Sequence, residues 1–273
     1  MTPDSSRPVI HRVEVVMPVH DEEHHLGPAL AALRAAADAL MGQRPSTAVG
    51  ITVVLDHCTD RSPAIAARFA GSTAGLNIGV RVLHRRFRNA GASRAAGVAA
   101  ALGNRETGHL QDAGHLESPG HLDSTGYLES TWLANTDADS RVPADWLVRQ
   151  LKFADAGWDV VLGSVEPDSA GMDPELLRSW RLRHPPEERH GHVYGANLGV
   201  RASAYRQAGG FSPLRSSEDS ALVEQLRGSG FAVMATDSTR VLTSGRTVAR
   251  APLGFGASLR ALGVETAAAL RSS

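Results

Sequence analysis

The chain has very little cysteine and no long apolar run, and both absences restrict what kind of protein it is. Cys58 is the only cysteine among 273 residues, which excludes an intrachain disulfide and fits a reducing compartment. No segment approaches the roughly 20 apolar residues of a membrane-spanning helix, and residues 1–8 lack the apolar core of a signal peptide. We therefore predict a cytoplasmic protein, and weak peripheral membrane contact stays open.

The chain also lacks an excess of charge of either sign. Its 28 basic and 29 acidic residues give a formal net charge of -1, so no general field draws it to nucleic acid, and any recognition of phosphate must be local. Hydrophobic residues make up 42% of the chain and charged residues 21%, which is a globular composition. The length predicts one large domain, or one domain with an appended lobe.

Short apolar runs alternate with alanine-rich stretches in the first half, which predicts a mostly parallel sheet covered by helices. The predicted strands of this half are residues 13–17, 51–55, 80–83 and 132–135. Its predicted helices are residues 22–40, 62–69 (capped by the hydroxyl of Ser62) and 91–102. The second half is mixed, with helices predicted at 146–154, 174–182, 202–208, 218–227 and 258–270 and strands at 160–162, 232–235 and 240–242.

Four copies of a hexapeptide interrupt this alternation between residues 108 and 131, reading GHLQDA, GHLESP, GHLDST and GYLEST. Four copies are too few for a solenoid, so we predict a loop inserted by local duplication. Its regularly spaced His109, His115 and His121 could bind a metal, although such segments are more often solvated loops.

The strongest chemical signal is the segment NTDAD, residues 135–139, at the end of a predicted strand. Asp137 and Asp139 are one residue apart on a turn, so they can approach one hard cation from the same side. Mg²⁺ or Mn²⁺ there would offset the charge of a leaving diphosphate. Taken alone, Asp-x-Asp is common on surface turns. Asp56 follows another predicted strand, and we expect it to face the same crevice because open parallel sheets bind ligands beyond the carboxyl ends of their strands.

Five blocks in order resemble family 2 of the GT-A glycosyltransferases, an inverting group that uses nucleotide sugars. The blocks are VEVVMPVHDEE (13–23), VVLDHCTDRS (53–62), NAGASRAAG (89–97), WLANTDAD (132–139) and the segment 194–219, which contains Gly-Gly-Phe and Glu-Asp. The resemblance covers roughly residues 13–242 without the hexapeptide insertion. It implies an α/β fold of GT-A type, a Rossmann-like, mostly parallel sheet flanked by helices, with a mixed acceptor-side C-terminal half.

The resemblance also implies a division of the chain. Residues 1–10 would be a polar N-terminal tail, 11–242 the GT-A catalytic domain and 243–273 a C-terminal tail and helix. Within the domain, residues 11–142 would form the nucleotide-sugar-binding half, with the inserted loop 103–131, and residues 143–242 the acceptor-side half.

Site roles are implied residue by residue. Asp219 would be the catalytic base, and Glu218 would orient it or contact the acceptor. Asp137 and Asp139 would hold Mn²⁺ or Mg²⁺. Contacts to the nucleotide sugar are expected from Pro18, Val19, His20, Glu22, Asp56 (nucleobase), Arg94 (diphosphate), Asp137, Ala138 and Asn197 (sugar or acceptor hydroxyls).

Each of these assignments has a plainer alternative. Glu218 and Asp219 could simply favour the positive end of a helix, worth about 0.3 to 1 kcal/mol. Arg94 could form a surface salt bridge, and Asn197 could satisfy a local turn. His190 and His192 could contact acceptor or metal, although histidines in such a loop are more often solvated.

Two departures from the family pattern affect the donor site. Leu55 stands where many members have a second acid, so the contact to the nucleobase is expected to differ. Many metal-dependent members also supply a late histidine, whereas this chain reads VLTSGRTVAR there. The third metal ligand is left open, and Arg246 and Arg250 are either diphosphate ligands or surface cations.

The sequence therefore predicts an inverting, metal-dependent glycosyltransferase acting on a nucleotide-sugar donor. The acceptor could be a small molecule, a lipid or a glycan, and the oligomeric state is not specified. The alternatives are a catalytically weak or inactive nucleotide-sugar-binding protein and a sugar nucleotidyltransferase. A dinucleotide oxidoreductase is weaker, because no Gly-x-Gly-x-x-Gly follows the first strand.

Overall fold

The computed structural model describes residues 2–103, 124–247 and 254–271. Most of the hexapeptide segment, with His109, His115 and His121, lies outside the described residues, as does Arg250. The predictions made for these positions are therefore not addressed by the structure, whereas the predicted loop 103–131 is wrong at its described end, where Ser124–Glu129 is helical and a strand begins at Thr131.

The described residues form one eight-stranded sheet in the order β3-β2-β1-β4-β7-β6-β8-β5. The strands are β1 (Arg12–Val19), β2 (Ala48–Asp56), β3 (Ile78–Arg85), β4 (Thr131–Asn135), β5 (Ser140–Arg141), β6 (Val160–Pro167), β7 (Leu198–Arg201) and β8 (Val233–Thr243). Strands β1 to β4 are mutually parallel, whereas β7 runs antiparallel to both β4 and β6. The predicted fold class, a mostly parallel sheet with a mixed C-terminal half, is confirmed.

Helices cover both faces of the sheet. They are α1 (Leu26–Gln43), α2 (Ser62–Ser72), α3 (Ala90–Ala101), α4 (Ser124–Glu129), α5 (Trp146–Asp155), α6 (Pro174–Arg183), α7 (Ala202–Gln207), α8 (Glu218–Gly228) and α9 (Phe255–Arg271). Alternate residues of β1 point to opposite faces: Val15 and Met17 pack in one apolar cluster with α1 and α5, and Val16 packs in another with α3 and α8. Burial on both faces explains why most residues of β1 are apolar, and its one buried acid, Glu14, is paired with Arg12 and Arg81.

The two final strands predicted at 232–235 and 240–242 are one strand, β8. Its register against β6 shifts between Gly163 and Val165, so residues 237–240 form an irregularity inside the strand. The polar run there suggests a turn from sequence alone. The polar run is accommodated inside the strand because Asp237 accepts hydrogen bonds from Ser164 at 2.7 Å and from Arg240 at 2.6 Å.

The predicted capping role of Ser62 is wrong. Helix α2 begins at Ser62 itself, and Arg61 at the cap position makes no side-chain capping bond. The hydroxyl of Ser62 instead accepts the backbone amide of Glu22 at 2.9 Å, while the Ser62 amide donates to Asp60 at 2.9 Å. Ser62 therefore ties the loop after β1 to the loop after β2, the two loops predicted to hold a nucleotide.

Helix α3 approaches the sheet closely at Gly97, where an added Cβ would lie 2.5 Å from Cγ1 of Val16. We expect Gly97→Ala to lower the free energy of unfolding by about 1–3 kcal/mol, because overpacked methyl groups force backbone or rotamer shifts. The matched control is Gly42→Ala in α1, where nothing lies within 4 Å of the added Cβ and a gain of up to about 0.5–1 kcal/mol is expected. Urea unfolding measures both; equal effects would contradict this packing.

No helix within the described parts of the chain is both long and apolar enough to cross a bilayer.

Candidate active site

Five carboxylates from three distant parts of the chain form what we call the acidic cluster: Glu22, Asp137, Asp139, Glu218 and Asp219. Glu22 follows β1, the two aspartates Asp137 and Asp139 follow β4, and Glu218 and Asp219 begin α8. The charges of Asp139, Asp219 and Glu22 all act on Asp137, and that of Asp137 acts on Glu218. The cluster thus joins the predicted metal ligands to the predicted base.

Arg94 of α3 is the interior cation of this cluster. It is 3% exposed, and its two terminal nitrogens form ion pairs with Asp137 and Glu218. Gly195 leaves room for it, because a Cβ there would lie 2.6 Å from Nη2 of Arg94. Although burial works against it, the carboxylates of Asp137, Glu218 and Asp219 raise the pKa of Arg94. The burial of Arg94 therefore excludes the alternative of a surface salt bridge.

Arg246, which follows β8, binds the other side of the cluster. Its guanidinium donates to both oxygens of Glu22, at 2.7 and 2.9 Å, and lies 2.9 Å from Oδ2 of Asp139. The backbone of the same segment is attached as well, because the Ser244 amide donates to the Asp139 carbonyl at 3.1 Å. The segment after β8 therefore lies against the predicted metal-binding turn.

Asp219 is held by backbone donors at the start of α8. The Gly195 amide donates to its Oδ2 at 2.7 Å, and the Ser220 amide donates to its Oδ1 at 2.7 Å. Ser217, just before the helix, has a φ of 60°, a left-handed conformation that is strained for a serine and is common near functional sites. The carboxylate is thus fixed in direction beside Gly195, in the half of the chain predicted to bind the acceptor.

Negative charge is in excess within the acidic cluster. Partial burial, together with the carboxylates of Asp139, Asp219 and Glu22, raises the pKa of Asp137 to about 6 against the opposing effect of Arg94. Burial likewise raises the pKa of Asp139, and Arg246 opposes the rise. Two guanidinium groups face five carboxylates here, so the site favours one more cation.

The donor set fits a hard divalent cation such as Mn²⁺ or Mg²⁺. It consists of carboxylate oxygens, which such ions prefer, and Arg246 already places a cation between Glu22 and Asp139. Three ligand atoms lie within 4.8 Å of one another only at Asp21, Cys58 and Asp60, as far as the structure describes the chain. The acidic cluster is therefore not a closed metal cage: four of its five carboxylates are paired with Arg94 or Arg246, and Asp219 is held by backbone amides.

The raised pKa of Asp137 predicts an unusual pH dependence in the metal-free protein. A carboxylate whose folded pKa of about 6 exceeds its reference value of 3.8 takes up a proton on folding, so its contribution to stability is lost as pH rises through about 6. Wild-type protein should therefore lose stability relative to Asp137→Asn between about pH 4 and pH 7. Urea unfolding with chelator measures this. If the wild type lost as much stability relative to Asp145→Asn, which removes a carboxylate outside the acidic cluster, the assignment to Asp137 would be contradicted.

Asp56 organises the approach to α3. Its carboxylate accepts the amides of Phe87, Arg88 and Asn89 at 2.6, 2.9 and 2.9 Å and the hydroxyl of Ser93 at 2.9 Å. Although burial works in the opposite direction, these donors lower the pKa of Asp56. Asp56 thus fixes the beginning of the helix that carries Arg94, and its predicted contact to a nucleobase stays a prediction.

The loop after β1 lies beside that turn. His20 is exposed, and its Nδ1 donates to the carbonyl of Asp56 at 2.7 Å, since a carbonyl only accepts. Pro18 is half-buried, and Val19 is buried with its carbonyl accepting the Cys58 thiol at 3.3 Å. Ala138 is also buried. The roles of these residues in donor binding stay predictions.

The predicted sugar contact of Asn197 is not retained. Asn197 is 1% exposed, and its amide nitrogen donates to the carbonyls of Ser164 and Thr239 at 2.8 and 2.7 Å. Its oxygen accepts the indole N–H of Trp146 at 2.9 Å. Both amide hydrogens are used inside the fold, which is the plainer alternative named for this residue.

His190 and His192 line a cleft with Trp180 and Tyr194. The cleft offers about 20 Å³, which is room for about one water molecule and not for an acceptor sugar. Burial lowers the pKa of His192, and the nearby His184 and His190 lower it further. Contacts from these histidines to acceptor or metal stay predictions.

Sequence reasoning missed three features of the site. They are the anchoring role of Asp56, the amide of Gly195 that holds Asp219, and the bridge from Arg246 to Glu22. Asn89 offered a signal for the first, because an asparagine before a run of small residues is a typical helix cap, and its side chain does accept the Ala92 amide at 2.8 Å.

The sheet order, with acidic residues beyond the ends of β1 and β4, is the GT-A architecture of the glycosyltransferases, and solved structures match it. A mannosyltransferase from Pyrobaculum calidifontis, in complex with GDP-Man and Mn²⁺, gives a TM-score of 0.60 at 16% identity over 99% of this chain and 66% of that one. S. aureus TarS gives 0.56 at 15% identity over 85% and 36%. GalNAc-T7 with UDP, GalNAc and Mn²⁺ gives 0.54 at 14% identity over 88% and 44%.

The family itself is indicated by sequence. Residues 14–107 match the model of the family described as Glycosyl transferase family 2, which confirms the resemblance over the segment from β1 to the end of α3. No curated protein matches the chain. The chain spans less than two thirds of each of the three solved proteins, and identities near 15% establish the fold alone.

Proposed function

We propose that the chain transfers a sugar from a nucleotide-diphosphate sugar to an acceptor hydroxyl, with inversion and with a divalent metal. The observation that carries the proposal is Arg94, which forms ion pairs with both Asp137 and Glu218. It thereby joins the turn predicted to hold the metal to the helix that begins with the predicted base. The family match over residues 14–107 supports a nucleotide-sugar donor.

The donor would lie between the loops after β1 and β2, with its diphosphate directed to Arg94. Asp137 and Asp139 would hold Mn²⁺ or Mg²⁺, and the metal when bound neutralises charge on the departing diphosphate. Arg94 can donate to phosphate oxygens, and its Nε has no hydrogen-bond partner among the described residues. As the donor enters, Asp139 would exchange Arg246 for the metal, and Arg246 would pair with the diphosphate instead.

Asp219 would act as the base. Its carboxylate takes the proton of the acceptor hydroxyl while that oxygen attacks the anomeric carbon, and the bond to the diphosphate breaks with its electron pair on the leaving oxygen. A single displacement of this kind inverts the anomeric centre. The amide of Gly195 keeps the carboxylate directed, and Glu218, which is paired with Arg94, would position that arginine.

The test is a panel of UDP- and GDP-sugars with Mn²⁺, Mg²⁺ or chelator, read first as thermal shift and then as release of nucleoside diphosphate. A ligand at a hundred times its dissociation constant stabilises the fold by about 2.7 kcal/mol, so the binding donor should be evident. Metal-dependent release of the diphosphate supports the proposal. Absence of any shift across the panel would contradict it.

One observation favours binding without turnover as the second candidate. Arg246 lies in the segment where many metal-dependent members of the family supply a histidine, and it is paired with Asp139 and Glu22. A thermal shift without any diphosphate release, in the presence of several acceptors, would select this candidate. The third candidate, a sugar nucleotidyltransferase, requires a basic loop for triphosphate after β1, whereas this loop contains Asp21, Glu22 and Glu23.

A further inference from the structure

A cavity of about 490 Å³ lies at the beginning of β8, away from the acidic cluster. Ala235, which lines it, pairs with Leu162 of β6, and Thr243 beside Asp139 pairs with Pro167. These positions are five residues of β6 apart, about 16 Å at the usual rise of a strand. The volume falls within the range of small-molecule sites, about 300–1,000 Å³. The cavity is therefore a separate site, large enough for a ligand.

The charge of the cavity wall is positive and uncompensated. Arg189 and Arg227 both line it, and neither forms an ion pair with any residue that the structure describes. None of the described residues that line the cavity is acidic. Glu188 does not neutralise its neighbour, because its carboxylate accepts the Thr236 hydroxyl at 3.0 Å and the Asp237 amide at 3.2 Å. Two guanidinium groups on one cavity favour an anion with several oxygens, such as a phosphate.

His190 supplies a third polar group to the same wall. It is 8% exposed, and neither of its ring nitrogens has a hydrogen-bond partner in the described part of the chain. An unsatisfied buried imidazole costs free energy, which a ligand oxygen or hydroxyl would recover. The amide of Arg189 donates to the Ala235 carbonyl at 2.8 Å, which fixes Arg189 and His190 against β8.

Apolar groups complete the wall. The indole of Trp158 and the thioether of Met234 line the cavity, and both side chains are half-buried. A ligand with an aromatic or aliphatic part beside its phosphate would bury that part here. We propose that this cavity binds a phosphomonoester with an apolar substituent, held by Arg189, Arg227 and His190, independently of the nucleotide-sugar site.

The probes are inorganic phosphate and phenyl phosphate, titrated into the full chain by calorimetry. Phenyl phosphate should bind with one-to-one stoichiometry and more tightly than inorganic phosphate. The double variant Arg189→Gln, Arg227→Gln should weaken binding at least about tenfold, because each charged hydrogen bond contributes of that order. Both side chains are exposed, so the variant should keep the wild-type urea midpoint.

Two control variants test whether the loss of binding is specific to the arginines of this cavity. Arg206→Gln removes an exposed arginine of α7 that lines neither this cavity nor the cleft at His192. It should leave the affinity for phenyl phosphate unchanged. Arg246→Gln removes an arginine of the acidic cluster, and it too should leave the affinity unchanged. Equal binding by the double variant, or a loss confined to Arg246→Gln, would overturn the proposal. Phenyl phosphate should also change the NMR chemical shifts of the His190 ring in the wild-type protein. If these shifts stayed the same, the proposal would be overturned as well.

Vesicles distinguish the two sources of such a phosphate. Cosedimentation of the wild type, but not of the double variant, with phosphatidic acid vesicles would identify a lipid phosphate. Binding of phenyl phosphate without cosedimentation would identify a soluble ester. Both outcomes keep the same three residues as the binding groups.

Discussion

Asp219→Asn is expected to abolish sugar transfer while donor binding is retained. The asparagine keeps the shape of the side chain and an oxygen for the Gly195 amide, but it does not accept the proton of the acceptor hydroxyl. General base catalysis contributes about 10²–10⁴-fold, so kcat should fall by at least about a hundredfold with little change in the dissociation constant of the donor. Transfer kinetics and donor titration of the same preparations measure both quantities.

A matched control for this variant is Asp38→Asn on α1. Asp38 is half exposed and pairs only with Arg34 in the described structure, so its loss should change neither kcat nor donor affinity. Transfer by Asp219→Asn at the wild-type rate would remove Asp219 as the base. If the variant lost donor binding as well as transfer, Asp219 would instead contribute to binding of the donor in the ground state.

Arg94→Met is expected to give the largest loss of stability. Breaking a buried ion pair costs about 3–5 kcal/mol because the remaining charges keep no partner, and we expect about 3 kcal/mol since Asp137 retains contact with solvent. Glu218 and Asp137 would then face each other without the cation between them. Metal-free urea unfolding measures the loss, and nucleotide binding should be lost in the folded variant.

Two further variants test that interpretation. Arg206→Met, on the surface of α7, should change stability by no more than about 0.5 kcal/mol. Arg94→Lys keeps one positive charge but not the fork that reaches both carboxylates, so it should restore part of the stability and little of the diphosphate binding. Equal stability of Arg94→Met and the wild type would contradict the charge balance described for the acidic cluster.

Apolar periodicity was sufficient to predict much of the fold. The runs that became β1, β2 and β4 are buried, so their composition alone marks them as strands. Apolar periodicity does not predict the interior of β8 because residues 237–240 are polar, and partners distant in sequence, such as Ser164 for Asp237 and Asn197 for the Thr239 carbonyl, make that polarity tolerable. The local sequence predicts a cap at Ser62 for a similar reason, since the true partner of its hydroxyl, the amide of Glu22, lies 40 residues away.

The site was predictable only where a motif fixes position. The spacing in residues 135–139 and the block ending at Asp219 identified the acids that the fold brings together. Glu218, a partner of Arg94, lies 124 residues away, and Glu22, a partner of Arg246, lies 224 residues away; no local pattern specifies such contacts. Asn197 shows the converse error, because a polar residue type does not reveal whether its side chain is buried and fully bonded.

The central claim is that Asp137 and Asp139 hold a divalent metal that the donor requires. The most direct measurement is Mn²⁺ binding by electron paramagnetic resonance, with and without a nucleoside diphosphate, in the wild type and in Asp139→Asn. We predict that the wild type binds one Mn²⁺, more tightly with the nucleotide, and that the variant loses at least about tenfold in affinity. Equal Mn²⁺ binding by the wild type and the variant would contradict the account.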